Sequence, residues 1–189
     1  MDLTNIPDKT SFKSTTSHKF KKDIYDFFKN KNLNTCLEIG ANRGWTTKIL
    51  SSLFKTVHAI EFEPDNMMHA KQNNIDKTNI KYYLSNAYDK NTYKDIYDID
   101  VAFIDCIHTY EAVLYDINTC LSLMNLNSGI YIIFDDYGHP TSTGVHDAII
   151  EAISSGLKIE KYIGESAGYQ YNDSSILIDN EGIILSYGI

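Results

Sequence analysis

Five short apolar runs punctuate the first two thirds of this chain, most of them separated by stretches with helical periodicity. That alternation constrains the fold more than any other feature. The runs are Thr35–Ile39, Val57–Ile60, Ile80–Leu84, Val101–Ile104 and Ile130–Phe134. Helical spacing of apolar residues recurs over Lys21–Asn30, Trp45–Phe54, Asp65–Asn73, Tyr110–Met124 and Val145–Ile153. In the fourth of these, Val113, Leu114, Ile117, Cys120, Leu121 and Met124 keep the i, i+3, i+4 rhythm, and Asn127 to Gly129 supply a stop. Strands alternating with helices predict an α/β, Rossmann-like doubly wound, mostly parallel sheet covered on both faces. Near the end, Ser175–Ile178 and Ile183–Leu185 flank Asp179-Asn180-Glu181-Gly182, a turn signal. This predicts a C-terminal antiparallel hairpin strand added at one edge, and Ile159–Ile163 forms a further apolar run before it. No repeat or Pro/Gly/Ser-rich linker divides the chain. The expectation is a polar N-terminal segment over residues 1–18 and a single domain over residues 19–189.

Charge and cysteine content narrow the function classes. The 189 residues carry 17 Lys plus Arg against 25 Asp plus Glu, a net charge of −8. A whole-surface nucleic-acid binder should be basic, so no nucleic-acid partner is expected. No apolar run of about 18 residues is present, so no membrane partner is expected either. Cys36, Cys106 and Cys120 are too few for a disulfide framework and lack metal-finger spacing, which fits a reducing, cytoplasmic setting.

Chemistry-bearing residues fall at the ends of the expected strands. Glu38-Ile39-Gly40-Ala41-Asn42-Arg43-Gly44 joins the first strand to its helix, where glycine permits a tight turn and a close ligand approach. Glu61 ends the second strand, about 20 residues on, where an acid can accept hydrogen bonds from ribose hydroxyls. Together these favour an adenosine-containing ligand and leave NAD and S-adenosylmethionine both open. Asp105 ends the fourth strand, and Asp135 and Asp136 end the fifth. If these strands are neighbours, the three acids share the carboxyl edge of the sheet, and their mutual repulsion would be relieved by a hard cation such as Mg²⁺. His108 lies close by in sequence and suits general-base work, with His139 and His146 as rivals. Cys106 reads as a small buried side chain.

These residues resemble class I S-adenosylmethionine-dependent methyltransferases. The likeness rests on Leu37-Glu38-Ile39-Gly40-Ala41-Asn42-Arg43-Gly44, Ala59-Ile60-Glu61-Phe62-Glu63-Pro64, Phe103-Ile104-Asp105 and Phe134-Asp135-Asp136-Tyr137, and spans roughly residues 34–154. Within that class, Phe103-Ile104-Asp105-x-x-His108-x-Tyr110-Glu111 looks like the small metal-dependent O-methyltransferases that act on sugars, and like their catechol-modifying relatives. Two departures stand out. Asn42 replaces the middle glycine of the loop, and Ile107 replaces a second acid, which moves the base role to His108. The resemblance implies that Glu38 and the loop through Gly40, Asn42 and Gly44 lie at the cofactor, against its methionine part. It places Asn86, Ala87 and Tyr88 at the adenine, and Mg²⁺ on Asp105, Asp135 and Asp136, with Asp105 and His108 as the catalytic pair. The implied acceptor is a small molecule, a sugar or other polyol. A metal-independent methyltransferase, a nicotinamide dehydrogenase and a non-catalytic interaction module are the competing readings. A homo-oligomer is compatible with all of them.

Overall fold

The computed structural model describes residues 3–9, 14–124, 129–166 and 180–188. Seven strands form one sheet in the order β3-β2-β1-β4-β5-β7-β6. They are β1 (Thr35–Ile39), β2 (Thr56–Glu61), β3 (Ile80–Leu84), β4 (Val101–Ile104), β5 (Ile130–Phe134), β6 (Lys158–Ser166) and β7 (Asn180–Tyr187). The first five pair in parallel, and β7 lies antiparallel between β5 and β6. The helices are α1 (His18–Phe28), α2 (Trp45–Leu53), α3 (Pro64–Asn73), α4 (Tyr110–Leu123) and α5 (Thr143–Ser154).

The two-residue period of each strand sorts its side chains onto two cores. Leu37, Ile39, Ala102, Ile104, Ile132 and Phe134 meet Val113, Ile117 and Cys120 of α4 and Ala148 and Ile149 of α5. Cys36, Val57, Val101, Phe103 and Ile133 meet Phe20, Ile24 and Phe28 of α1 and Leu50 of α2. With both faces covered, the parallel strands are apolar almost throughout, as expected for a doubly wound sheet. Strand order reverses between β1 and β4, the switch point outside whose carboxyl ends ligands bind in such sheets.

One sequence expectation is revised. The turn signal does not end a strand: Asn180, Glu181 and Gly182 lie inside β7, paired with β6. Gly182 is there because the backbone is crowded; a Cβ would sit 2.3 Å from the Phe134 carbonyl oxygen and 2.4 Å from the Phe20 ring. Ser175–Ile178, Asp179 and Asn127 lie outside the described residues. At the other end, α1 starts at His18 because Ser17 caps it, its hydroxyl accepting from the Phe20 amide. Described residues of the polar segment before it pack on the domain. Ile6, Thr16 and Ser17 are buried, and the Lys21 ammonium donates to the carbonyls of Pro7 and Thr16 and to Ser14 Oγ.

Candidate active site

The loop after β1 turns on Gly40, whose φ of 91° lies in the left-handed region that glycine enters without strain. Space also demands glycine, since a Cβ would fall 1.8 Å from the Asp105 carbonyl oxygen. This close approach locks the β1 loop to the end of β4. Asn42, in place of the family's glycine, keeps a positive φ of 47°, a conformation that asparagine tolerates better than most side chains. Gly44 has a different role. It caps α2 at φ 77°, and a Cβ there would lie 2.8 Å from Ala70 Cα, so it lets α2 sit close against α3.

Glu61 is a structured carboxylate, 7% exposed. Its Oε2 accepts from the Asn42 amide at 2.6 Å and its Oε1 from the Glu63 amide at 2.8 Å. Each oxygen retains a lone pair for a ligand hydroxyl. Glu38 is fully buried one strand away, and neither of its oxygens has a hydrogen-bond partner. Burial pushes its acid up to about 8; the nearby Thr47 hydroxyl opposes the shift, and the charges of Asp105 and Glu61 add to it.

At the ends of β4 and β5 the structure gathers Asp105, His108 and Asp136, with one donor atom of each within 4.8 Å of the others. His108 Nε2 stands 3.0 Å from Asp136 Oδ2 and 3.8 Å from Asp105 Oδ1. Pairing with Asp105 raises the imidazole above its ordinary value against the opposing effect of burial, and the charges of Asp136 and Asp105 raise it further. Asp136 is itself held above the usual carboxylate range by burial and by Asp105, and its φ of 55° marks a strained turn. Asp135 goes elsewhere. Strand alternation turns it into the α1 side, where it is 4% exposed, and burial, Asp105, Asp136 and Glu181 push its acid well up. The group that could hold a cation is therefore two acids and an imidazole, with Asp135 outside it.

A cavity of about 560 Å³ opens at the switch point. Gly40, Asn42, Glu61, Asn86, Ala87, Tyr88, Asp105 and His108 line it, whereas Glu38, Gly44, Asp135 and Asp136 do not. Sequence reading missed Thr15, Ile60, Phe62, Asn66, Ser85 and Ile107 as lining residues, and took Cys106 for core. Phe62 carried a legible signal, an aromatic directly after the strand-end acid, and it is 65% exposed. Thr15 carried none: it comes from the N-terminal segment, and its hydroxyl reaches Asp105 Oδ2 at 3.4 Å. Cys36, Cys106 and Cys120 are free thiols. Among the described residues no helix is long and apolar enough to cross a membrane.

Comparison with known proteins points to one family and one fold. A family model described as a methyltransferase domain matches residues 37–137. An uncharacterised protein of Acanthamoeba polyphaga mimivirus is 28% identical over 163 residues, covering 77% of this chain and 72% of the relative. Among solved structures, an O-methyltransferase from Bacillus cereus in complex with S-adenosylhomocysteine superposes with a TM-score of 0.68 at 16% identity, over 94% of this chain and 85% of the other. An rRNA methylase from Streptococcus thermophilus superposes with a TM-score of 0.59 at 15% identity, over 87% and 92% of the two chains.

Proposed function

The chain belongs to the methyltransferase domain family and is an S-adenosylmethionine-dependent methyltransferase; from that premise we propose that it methylates a hydroxyl of a small polyol, a sugar or vicinal diol, with help from a divalent cation. One observation carries the reading: Asp105 and His108 line the same cavity as Gly40 and Glu61, with Asp136 completing their cluster. The two carboxylates fit a hard cation such as Mg²⁺ or Mn²⁺, and leave the imidazole beside them free for proton transfer. Asp105 and Asp136 would hold the ion, which supplies Lewis acidity that makes a bound hydroxyl easier to ionise.

The chain's own residues supply position and proton transfer. Glu61 orients the ribose, and the Gly40–Asn42 backbone lies against the methionine part. Asn86, Ala87 and Tyr88 wall the adenine. Glu38 sets a carboxyl behind the loop, where the cofactor brings positive charge. His108 takes the acceptor proton at Nε2 once Asp136 releases that atom. With donor methyl and acceptor oxygen held in line, most of the rate gain is positional. The net charge of −8 favours a small neutral acceptor over RNA, and the free thiols suit a cytoplasmic setting.

Calorimetric titration with S-adenosylhomocysteine, with Mg²⁺ and again with EDTA, followed by a methyl-transfer screen on amino sugars and vicinal diols, tests the proposal. Cofactor binding with EDTA-sensitive transfer to a diol is expected. Full transfer in EDTA would remove the cation, and transfer confined to RNA would overturn the acceptor class.

A further inference from the structure

Helix α4 carries one residue out of keeping with its face. Val113, Ile117 and Cys120 form its buried stripe, and Asp116 stands among them with no exposed surface. An acid at such a position is costly unless something on the protein uses it. Its Oδ2 accepts from the Tyr88 hydroxyl at 3.3 Å, and its Oδ1 has no partner. Burial pushes the acid up to about 7, with the Tyr88 hydroxyl opposing the shift.

Tyr88 is a cavity-lining residue held at both ends. Its amide donates to Asn86 Oδ1 at 2.9 Å, and its ring tilts against Tyr115 at 5.4 Å between centroids. With the hydroxyl turned inward to Asp116, the ring is left as the cavity wall. Cys106 lines the same cavity and lies beside Tyr88. The one polar atom of the Tyr88 side chain is thereby kept away from whatever occupies that end.

We infer that Asp116 is a positioning residue for the cofactor: through Tyr88 it fixes an apolar wall against which the adenine ring seats. This rests on the placement of adenine at Asn86, Ala87 and Tyr88 under the proposed function. Asp116 touches no ligand and acts only through the tyrosine. Its sign is therefore a loss of affinity shared with Tyr88 and independent of the methionine half of the cofactor.

The test is calorimetric titration of S-adenosylhomocysteine and of adenosine into wild type, Asp116→Leu, Asp116→Asn, Tyr88→Phe and the Asp116→Leu/Tyr88→Phe double variant, with circular dichroism to confirm folding. The net worth of one ordinary hydrogen bond corresponds to about five-fold in an equilibrium. Asp116→Leu and Tyr88→Phe should each weaken both ligands by about that factor. The double variant should lose no more than either single one, because the two side chains act as a unit. Asp116→Asn keeps an acceptor and should bind within about two-fold of wild type. Unchanged binding in Asp116→Leu, additive losses in the double variant, or equal losses in Asp116→Asn and Asp116→Leu would each overturn the inference. Binding of S-adenosylhomocysteine without adenosine affinity in wild type would also overturn it. Failure of wild type to bind either ligand would instead remove the cofactor reading of the cavity.

Discussion

Replacing Glu38 by Gln should stabilise the protein as pH rises, an effect that follows from where the carboxyl is buried. Glu38 has no exposed surface and both its oxygens lack partners. Its acid is raised from 4.5 to about 8. Between those two values the folded protein holds a proton that the unfolded chain has released. Stability therefore falls as pH rises through that window and is greatest below it. Each pH unit is worth about 1.4 kcal/mol, so the 2.5 units from 4.5 to pH 7 amount to roughly 3 kcal/mol as an upper figure. Gln has nearly the same shape and does not titrate. The stability gap between Glu38→Gln and wild type should therefore open by up to about 3 kcal/mol between pH 4.5 and 7. For a domain of this size that is about 6–12 °C in melting temperature. Melting curves of both proteins from pH 4.5 to 8 measure it directly, and pH effects common to both cancel in the difference. The variant should meanwhile bind S-adenosylmethionine more weakly, because Gln, unlike Glu38, cannot release a proton to answer the cofactor's cationic groups on binding. A gap that stays flat, or a variant less stable than wild type at pH 7, would refute the reasoning.

Three further outcomes are expected. Gly40→Ala would force a Cβ to within 1.8 Å of the Asp105 carbonyl oxygen at a φ of 91°; a cost of about 1–2 kcal/mol for the backbone alone, plus displacement of the loop, should abolish detectable S-adenosylhomocysteine binding in calorimetry. The His108 ring should titrate above its ordinary value by NMR, because pairing with Asp105 and the Asp136 charge favour the imidazolium; its stabilising contribution is full below about 6.5 and fades as pH rises through the higher folded value, and Asp105→Asn should bring the midpoint down. Lys21→Met would remove three hydrogen bonds to the N-terminal segment; a loss of about 1–3 kcal/mol for the acceptors left unpaired and faster proteolytic cleavage before His18 are expected, read by melting and limited digestion.

The parts of the fold legible in the sequence are those where one local pattern decides the outcome. Thr35–Ile39, Ile80–Leu84 and Ile130–Phe134 are short apolar runs with no competing helical period, and they are strands with those bounds. Glu61 was legible as an acid at the sheet's carboxyl edge, where it lines the cavity, because its spacing from the glycine loop follows from the length of one strand-helix-strand unit. Asp135 and Asp136 mark the limit of such reading. Adjacent in sequence, they point to opposite purposes: one is carried by strand alternation into the α1 core, and the other is swung by a left-handed φ to His108. Nothing local distinguishes them, because the difference is made by the strand's face and the turn that ends it. Gly182 was misread for the complementary reason. A glycine in a polar stretch signals a turn when only neighbours in sequence are considered, but here the Phe20 ring, 162 positions earlier in the chain, requires it. Thr15 reaches the site by the same kind of long-range packing. The part of the cavity built from successive loops of a regular fold is therefore readable from sequence, whereas the end where Thr15 meets Asp105 and α5 packs against the His108 backbone depends on contacts that only the folded chain brings together.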